Sequence, residues 1–511
     1  MIRRQRSLAF AALLATACNT YNTYITPPPP EDGGGGSGGS GSGSGGEDPT
    51  LDGAPKPNMQ PSEQTVDLFG VDGNRFWFAT DPDEVAKMNE QQGGGPFPNG
   101  DIYQPGGSGE SNATYANHLF VTTSGNEPST ADYGQVEVRV IGQSTWRPWT
   151  ADSIPNLRVD ANEFDGGLVG GYEHFRFNNG LVGSIFRELI ALEVYRGLGY
   201  PAPLASYAWV GSNVWGEDVQ IPYTVTEVYK KDFCDARLDQ LGGSCPNLFE
   251  FVGDIPFTDF NSQENCRLAA CDGTRASELA QILQNTPAGP GFEAATADYL
   301  DWPSIQKFQC LSWMLWTGDD ALHNQNNVVL LEREDGKFMY LPYSIDISAG
   351  QEWYQYTPLY GSNSVSNGCQ SDPDCWAETI ATCEATIADF NALDPVALVD
   401  SVYDRLTQAG MLRNGDEDRY QQIRDWYEKR TNDLLPELDQ YRGVPCIDPN
   451  VKCGPEGTCT PAWDCHPACD VNEYQCGPLC APLGQCFECF YPFNWCNDGS
   501  CRYDCGAPLP G

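Results

Sequence analysis

The spacing of apolar residues separates a strand-rich first half of the chain from a helix-rich second half. Strand-like runs occur at 119–124 and at 136–142, the second with alternation, and β-rich runs follow at 207–212 and 221–229. Between these pairs, residues 181–199 carry apolar side chains at helical spacing and end in glycine, which predicts a helix with its stop signal.

The second half begins with a helix-favouring stretch at 299–318. A β-hairpin is predicted directly after it, because two apolar runs flank the turn sequence Asp335–Gly336. Residues 394–441 then have the pattern of amphipathic helix. Strands followed mostly by helices predict an α+β body.

The N-terminus has the layout of a secretory signal. Three arginines precede a short apolar stretch at 8–15, and small residues and Cys18 follow. Residues 1–18 therefore resemble a bacterial lipoprotein signal peptide whose cysteine carries the lipid, with an ordinary signal peptide as the alternative. Residues 19–64 are rich in Pro, Gly and Ser and predict a disordered tether. Contact with a membrane is expected only through this N-terminal lipid anchor.

The charge of the chain restricts its partners. Lys and Arg total 29 against 70 Asp and Glu, which gives a formal net charge of −41. This field repels nucleic acid and anionic membrane surfaces, so neither is expected as a partner. The acidity suits an exported protein and the binding of divalent cations.

The cysteines indicate an oxidising compartment. Of 21 cysteines, an even number remains when Cys18 is set aside, which predicts disulfides and an extracytoplasmic location. Those between 446 and 505 lie among Gly, Pro, Asp and Asn, so residues 444–511 are expected to form a small disulfide-stapled module. The spacings at 465–469 and 486–489 also suit zinc. The remaining cysteines are expected to pair within the body, in a connectivity that the sequence leaves open.

Residues 318–331 read GDDALHNQNNVVLL, a polar turn between the predicted helix and the hairpin. Asn324 follows Asp319 by five residues, and Asp346 ends the second strand of the hairpin. Phosphoryl transfer needs an acid or base at the attacking hydroxyl and hard oxygen ligands for magnesium, and this order of parts supplies both. In the alternative interpretation, Asp319 and Asp320 only close the helix, although carboxylates at a helix C-terminus oppose its dipole.

Over residues 67–441 the chain resembles the spore-coat CotH kinase-like proteins, an atypical and often secreted branch of the protein-kinase fold. The resemblance rests on the order of several segments along the chain. They are DDALHNQNNVVLLEREDGKFMYLPYSID, the closing helix around WYEKR, VEVRVIGQSTWRPW, FRELIALEVYRGLGYPAPLASYAWV and YTVTEVYKKDF. It implies an atypical protein-kinase-like fold over residues 65–443 that uses ATP with Mg²⁺ or Mn²⁺.

The resemblance also implies roles for residues of the second half. Asp319 matches the catalytic-loop aspartate, which accepts the proton of the phosphorylated hydroxyl. Asn324 matches an asparagine that helps to ligate the metal ion. Asp346 lies in the hairpin segment that holds the metal-binding aspartate.

In the first half, the resemblance implies residues that bind the nucleotide. Glu188 is expected to pair with a phosphate-gripping base, and Arg158 lies roughly where the family has a lysine. Glu227 falls in the segment that would edge the nucleotide pocket. Ser344 departs from the family, since it stands where the hairpin commonly has a first acidic residue, and this departure favours an inactive site.

These observations give two main hypotheses of function. The first is a surface-tethered kinase that transfers the γ-phosphate of ATP to Ser or Thr of exported proteins. The second is a catalytically inactive kinase fold that binds a surface ligand or acts in adhesion, with the cysteine-rich module as its contact element. A calcium-stabilised structural protein is a third, which leaves the order Asp319, Asn324, Asp346 unexplained.

Overall fold

The computed structural model describes the following parts of the chain: residues 53–61, 66–91, 114–142, 147–164, 167–180, 184–350 and 357–442, and six short strands between 450 and 502. Cys18 and most of the predicted tether lie outside them. The predicted tether is nevertheless too long, because the N–H groups of Asn58 and Met59 donate to Thr130 O at 2.9 and 3.0 Å. The folded body therefore includes residues ahead of the predicted boundary at 65.

Strands of the first half form one large sheet. They are β1 (Asn74–Thr80), β2 (Thr114–Thr122), β3 (Thr130–Asp132), β4 (Val136–Ile141), β5 (Asn156–Asp160), β6 (His174–Asn178), β7 (Ala205–Ser212) and β8 (Gly216–Glu227). Their order is β1-β7-β8-β6-β5-β4-β2-β3, and β1 also pairs with β2, so that all except β3 close into a ring. The strands predicted from the sequence correspond to β2, β4, β7 and β8.

Side chains alternate between the two faces of this sheet. In β5 and β6, apolar residues such as Leu157 and Phe177 are buried in an aromatic core inside the ring. Phe177 contacts Phe76 of β1 there, with ring centroids 5.0 Å apart. Arg158 and Arg176 occupy the alternate positions, so they lie on the opposite face of the sheet.

The helices belong mostly to the second half. In chain order they are α1 (Pro82–Gln91), α2 (Ile185–Gly197), α3 (Lys231–Asp235), α4 (Leu238–Leu241), α5 (Thr274–Asn285), α6 (Phe292–Thr296), α7 (Trp302–Leu315), α8 (Ser364–Ser371), α9 (Pro373–Leu393), α10 (Pro395–Gln408) and α11 (Asp416–Gln440). Local sequence sets the ends of the longer ones: Asp372 and Asp394 cap the starts of α9 and α10, each followed by proline.

Helix α2 is the predicted helix of the first half, and it connects the sheet with the helical part of the body. Ser184 caps its start by accepting from Phe186 N–H. Most of its residues are buried, because it contacts β7 and β8 on one side and α9 and α10 on the other. Groups that α2 holds toward the sheet are therefore fixed by packing on both sides.

A second, three-stranded sheet is formed by one strand that precedes α7 in the chain and two that follow it. It consists of β9 (Asn247–Phe251), β10 (Val328–Glu332) and β11 (Phe338–Leu341), in the order β11-β10-β9. The predicted hairpin is confirmed as β10 and β11, with Gly336 at φ 78° in the turn between them. Helix α7 ends earlier than predicted, because Trp316 takes the left-handed conformation at φ 52°. The body is α+β, as predicted.

Four disulfides cross-link the body. They are Cys234–Cys245, Cys266–Cys271, Cys310–Cys383 and Cys369–Cys375. The prediction that these cysteines pair with one another is confirmed, and the bonds indicate an oxidising, extracytoplasmic environment. Cys310–Cys383 joins α7 to α9 in the core.

In the C-terminal module the structure describes strands only. Three hairpins form from β12 (Asn450–Cys453) with β13 (Thr458–Pro461), β14 (Glu473–Cys476) with β15 (Leu479–Pro482), and β16 (Asn494–Trp495) with β17 (Cys501–Arg502). The predicted cysteine pairing of this module lies outside the described residues. Within the described part of the chain, no helix has the length and apolar character needed to cross a membrane.

Candidate functional site

Asp320 holds the polar turn that follows α7. It is buried and accepts from the N–H groups of Leu322 and His323, both at 2.9 Å. The hydroxyls of Ser312 and Thr317 also donate to its carboxylate. Burial alone would raise the pKa of Asp320, but the charge of His323 and these hydrogen bonds hold it below its ordinary value. Asp320 is therefore an ionised structural centre of the turn.

His323 completes this centre as a cation. Its Nδ1 lies 2.8 Å from Asp320 Oδ1, and its Nε2 lies 2.9 Å from Pro358 O. Both neighbours are acceptors, so only the doubly protonated ring satisfies both contacts. Burial lowers the pKa of His323, but the carboxylate of Asp320 outweighs it, and the pKa is raised above 6.5. The contacts of His323 are therefore structural.

Stability is expected to depend on the protonation of His323. Because its pKa is higher in the folded chain than in the unfolded one, its contribution is complete below pH 6.5 and is lost as the pH rises through the folded pKa. We expect a loss of about 2 kcal/mol in the free energy of unfolding. Urea unfolding at pH values from about 5 to 9 measures it. His323→Gln is the control and should show a flatter pH dependence; an unchanged dependence would contradict the assignment.

Asp319, beside this centre, points its carboxylate at a set of asparagines. Asn324 Nδ2 and Asn326 Nδ2 donate to Asp319 Oδ1, each at 3.1 Å, and Asn327 Nδ2 donates to Oδ2 at 3.2 Å. Burial and the neighbouring charge of Asp320 raise the pKa of Asp319, although the three amides oppose them. The predicted Asp319 and Asn324 are thus in direct contact. Asn326 and Asn327 serve as hydrogen-bond donors within the loop.

Asp346 follows β11 and lies close to Asp319. Ser344, at φ 53°, turns the chain and donates to Asp346 Oδ1 at 3.4 Å. Burial raises the pKa of Asp346 to about 7, and the charges of Glu188 and Asp319 act in the same direction. Arg176 opposes them only in part. The carboxyl predicted to bind metal is therefore within electrostatic reach of the predicted catalytic aspartate.

The charge of Glu188 of α2 also acts on Asp346, and the base that Glu188 contacts is Arg176. The two form a buried ion pair between α2 and β6, and Asn178 Nδ2 donates to Glu188 Oε2 at 2.8 Å. Arg176 Nε also donates to Thr226 Oγ1 at 2.7 Å. Despite burial, the charge of Glu188 raises the pKa of Arg176 above its ordinary value.

Arg158, expected roughly where the family has a lysine, is not the partner of Glu188, and its role at a nucleotide stays a prediction. Arg158 lies on β5 and is paired in register with Arg176 of β6, one strand farther from α2. Strand β6 precedes α2 in the chain and lies next to β8, so it carries the arginine that meets Glu188. The pattern HFRFN, with a charged residue between two buried phenylalanines, indicates a strand that presents Arg176 on its polar face.

Glu227 lies at the end of β8, but its carboxylate is engaged within the protein. Arg237 Nη1 donates to Oε1 at 3.0 Å, and Arg237 Nη2 and Leu204 N–H donate to Oε2. Both members of the ion pair are buried. These contacts hold the connection after β8 in place, and the expected role of Glu227 at the edge of a nucleotide pocket stays a prediction.

The structure thus brings together four of the groups, namely Asp319, Asp346, Glu188 and Arg176, in a cluster that we call the cleft. Tyr343 lies beside them, with Arg176 Cζ 4.8 Å from its ring centroid. Arg176 and Glu188 belong to the first half of the body, whereas Asp319 and Asp346 belong to the second. Neither the models of known protein families nor the curated proteins contain a match to this chain.

Proposed function

We propose that the body is an atypical protein-kinase-like phosphotransferase that moves the γ-phosphate of ATP to Ser or Thr of exported proteins. One observation carries the proposal: the ion pair of Arg176 with Glu188 lies against the two aspartates of the turn and the hairpin. Phosphoryl transfer depends on this combination of a base at the hydroxyl, metal ligands and a paired cation at the phosphates. We further propose that Cys18 anchors the protein by a lipid at the cell surface.

The charges of the cleft fit a divalent cation. Glu188 and Asp319 both act on Asp346, and their combined negative charge exceeds what Arg176 neutralises. Asp346 and the side-chain oxygen of Asn324 would hold Mg²⁺ or Mn²⁺, which prefer such hard oxygen ligands. Bound metal neutralises the phosphate oxygens during transfer. Such neutralisation would also remove the cost of burying several carboxylates together.

The protein's own residues supply the remaining chemistry. Asp319 is placed to accept the proton of the attacking hydroxyl, and burial raises its pKa toward the working pH. The asparagine amides hold its carboxylate in one orientation. Arg176 is held by Glu188 and Thr226 with its guanidinium toward the cleft, where it would bind phosphate oxygens.

A second candidate function is a catalytically inactive binding or adhesion protein on the same scaffold. Ser344 favours it, because a hydroxyl stands where the family commonly has the first acid and contacts Asp346. A hydroxyl contributes much less to metal affinity than a carboxylate. The two candidates differ in whether metal-dependent transfer occurs.

The test is incubation of the purified full-length protein with γ-labelled ATP and Mg²⁺ or Mn²⁺. A generic acceptor protein and the protein itself are both scored for label. We expect label transfer that EDTA abolishes and that Asp346→Ala lowers by about 10²-fold or more, since the metal is lost from the site.

The matched control is Asp218→Ala, since Asp218 is exposed on β8 and makes no side-chain hydrogen bond or ion pair with the residues that the structure describes. It should transfer label at the wild-type rate. Absence of transfer by the wild type, together with absence of metal-dependent ATP binding in calorimetry, would favour the binding protein.

A further inference from the structure

Three arginines lie side by side on adjacent strands of the large sheet. Arg139 of β4 is paired in register with Arg158 of β5, which is paired with Arg176 of β6. Side chains at such positions have Cβ atoms about 5 Å apart, and like charges at that distance repel. In a chain with a net charge of −41, where carboxylates are abundant, a row of cations points to a specific use.

The row is only partly neutralised by the protein. Arg139 pairs with Glu137, and Arg176 pairs with Glu188. The side chain of Arg158 makes no hydrogen bond or ion pair with any residue that the structure describes, although it is part-buried. Burial and the charge of Arg267 lower the pKa of Arg158, while the charges of Tyr343 and Glu250 act against them. A buried cation without a hydrogen-bonded acceptor is costly, which makes Arg158 a candidate for binding an anionic ligand.

Lys230 is a second cation of this kind. It lies three residues after the end of β8, at the N-cap position of α3, and its side chain has no ion-pair or hydrogen-bond partner among the described residues. Burial, and then the charge of Arg158, lower its pKa to about 8. Asp160 acts against this shift, but its carboxylate is 2.9 Å from His174 Nε2. The charges of Lys230 and Arg158 therefore repel one another.

Arg267 approaches the same place from the second sheet. Its Nε donates to Glu250 Oε2 of β9 at 2.6 Å. Its charge lowers the pKa of both Arg158 and Lys230, in addition to the effect of their burial. Cations from β5, from the segment after β8 and from the segment after β9 thus act on one another, and Arg267 alone of the three is hydrogen-bonded to a carboxylate, that of Glu250.

We propose that Arg158, Lys230 and Arg267 form a second anion site that binds a phosphate group of a ligand. Guanidinium groups bind phosphate oxygens through parallel hydrogen bonds, and an ammonium adds a mobile point charge. The site is distinct from the Arg176–Glu188 pair, whose cation already has a carboxylate partner. Anion binding here does not require transfer by Asp319, so it is measured without metal and without turnover.

Two kinds of ligand carry the phosphate group that this site would bind. One is the polyphosphate tail of a nucleotide donor, of which one phosphate would lie at Asp346 and another at the second anion site. The other is a phosphate already present on the acceptor protein. Both ligands carry the same oxyanion group, and they differ in whether ATP competes for the site.

The experiment is isothermal titration calorimetry of the full-length protein with inorganic tripolyphosphate in EDTA. We expect binding that weakens with added salt, and a loss of affinity of roughly tenfold for Arg158→Gln and for Lys230→Gln, as for one charge-assisted contact. The matched control is Lys231→Gln. Lys231 is the next residue, with a side chain 77% exposed, and should leave the affinity unchanged.

Arg158→Lys and Lys230→Arg keep the positive charge and should retain most of the affinity. This result would show that the loss in the glutamine variants comes from the missing charge and not from misfolding. Thermal unfolding of each variant checks that it is folded. Absence of tripolyphosphate binding, or equal binding by Arg158→Gln, Lys230→Gln and Lys231→Gln, would overturn the site. Displacement of tripolyphosphate by ATP with Mg²⁺ supports the site and assigns it to the nucleotide. Simultaneous binding supports it and assigns it to the acceptor.

The proposal of the anion site and the proposal of phosphoryl transfer can be contradicted independently of each other. Asp346→Ala should lower transfer by about 10²-fold or more but leave metal-free binding of tripolyphosphate intact, because Asp346 contributes no positive charge to the second anion site. An inactive protein that still binds tripolyphosphate through Arg158 and Lys230 would keep this inference and discard the transfer reaction.

Discussion

Replacement of Asp319 by asparagine is expected to lower the rate of phosphoryl transfer by about 10²–10⁴-fold, the usual effect of losing a general base. Asparagine has nearly the same shape but cannot accept the proton of the attacking hydroxyl. One of the two oxygens that receive the amides of Asn324, Asn326 and Asn327 also becomes a donor, so the loop loses part of its hydrogen bonding. The measurement is initial-rate label transfer with Mg²⁺.

Two further readouts separate chemistry from structure for this variant. The affinity for ATP with Mg²⁺ and the midpoint of thermal unfolding should stay close to those of the wild type, because Asp320 and not Asp319 holds the turn. Transfer that persists within about tenfold would show that Asp319 is not the base. An equal loss of binding and transfer would make it a positioning residue for the nucleotide.

Replacement of Asp320 by alanine is expected to lower the free energy of unfolding by about 3–5 kcal/mol, the usual cost of breaking a buried ion pair. The substitution leaves the buried imidazolium of His323 without its carboxylate. It also leaves two backbone N–H groups and the hydroxyls of Ser312 and Thr317 without an acceptor. Urea unfolding at pH 6, where His323 is charged, measures the change.

Asp218→Ala is again the control and should change the free energy of unfolding by less than about 0.5 kcal/mol, as for an exposed residue without contacts. A loss below about 1 kcal/mol for Asp320→Ala would show that the turn does not depend on this carboxylate. Transfer activity should fall along with stability in this variant, in contrast to Asp319→Asn.

The sequence suggested two roles for the pair Asp319–Asp320, a catalytic site and a closed helix end, and the structure divides them between the two residues. Asp320 makes the structural contacts, while Asp319 faces the asparagines and the cleft. Neighbouring residues in a turn point in different directions, and sequence spacing alone does not state which one turns inward. That division depends on Trp316, whose left-handed conformation ends α7 at Leu315.

The base that pairs with Glu188 could not be chosen from the sequence. NLRVD and HFRFN have the same alternation, with an arginine at the centre of each. Both patterns predict a strand with arginine on the polar face. Only the order of strands decides between Arg158 and Arg176, and that order depends on β6 lying between β5 and β8.

The closure of the large sheet into a ring could not be predicted from the sequence either. Periodicity identified β2, β4, β7 and β8, but the ring closes because β1 pairs in parallel with β7 and antiparallel with β2. The body cysteines allow roughly a hundred connectivities, and their spacing does not select one. Local elements with a strong pattern, such as α2 and the β10–β11 hairpin, were predictable because their signals lie within a few residues.

The bond between Cys310 and Cys383 has a consequence for how the protein can be made and handled. It closes a loop of 73 residues that contains Asp319, Asn324 and Asp346, and a loop of that length stabilises a folded chain by about 4 kcal/mol. A single backbone cut within the loop leaves both fragments covalently attached. Material produced in a reducing cytosol would lack this covalent ring around half of the cleft, so an inactive preparation from such a host would not bear on the reaction.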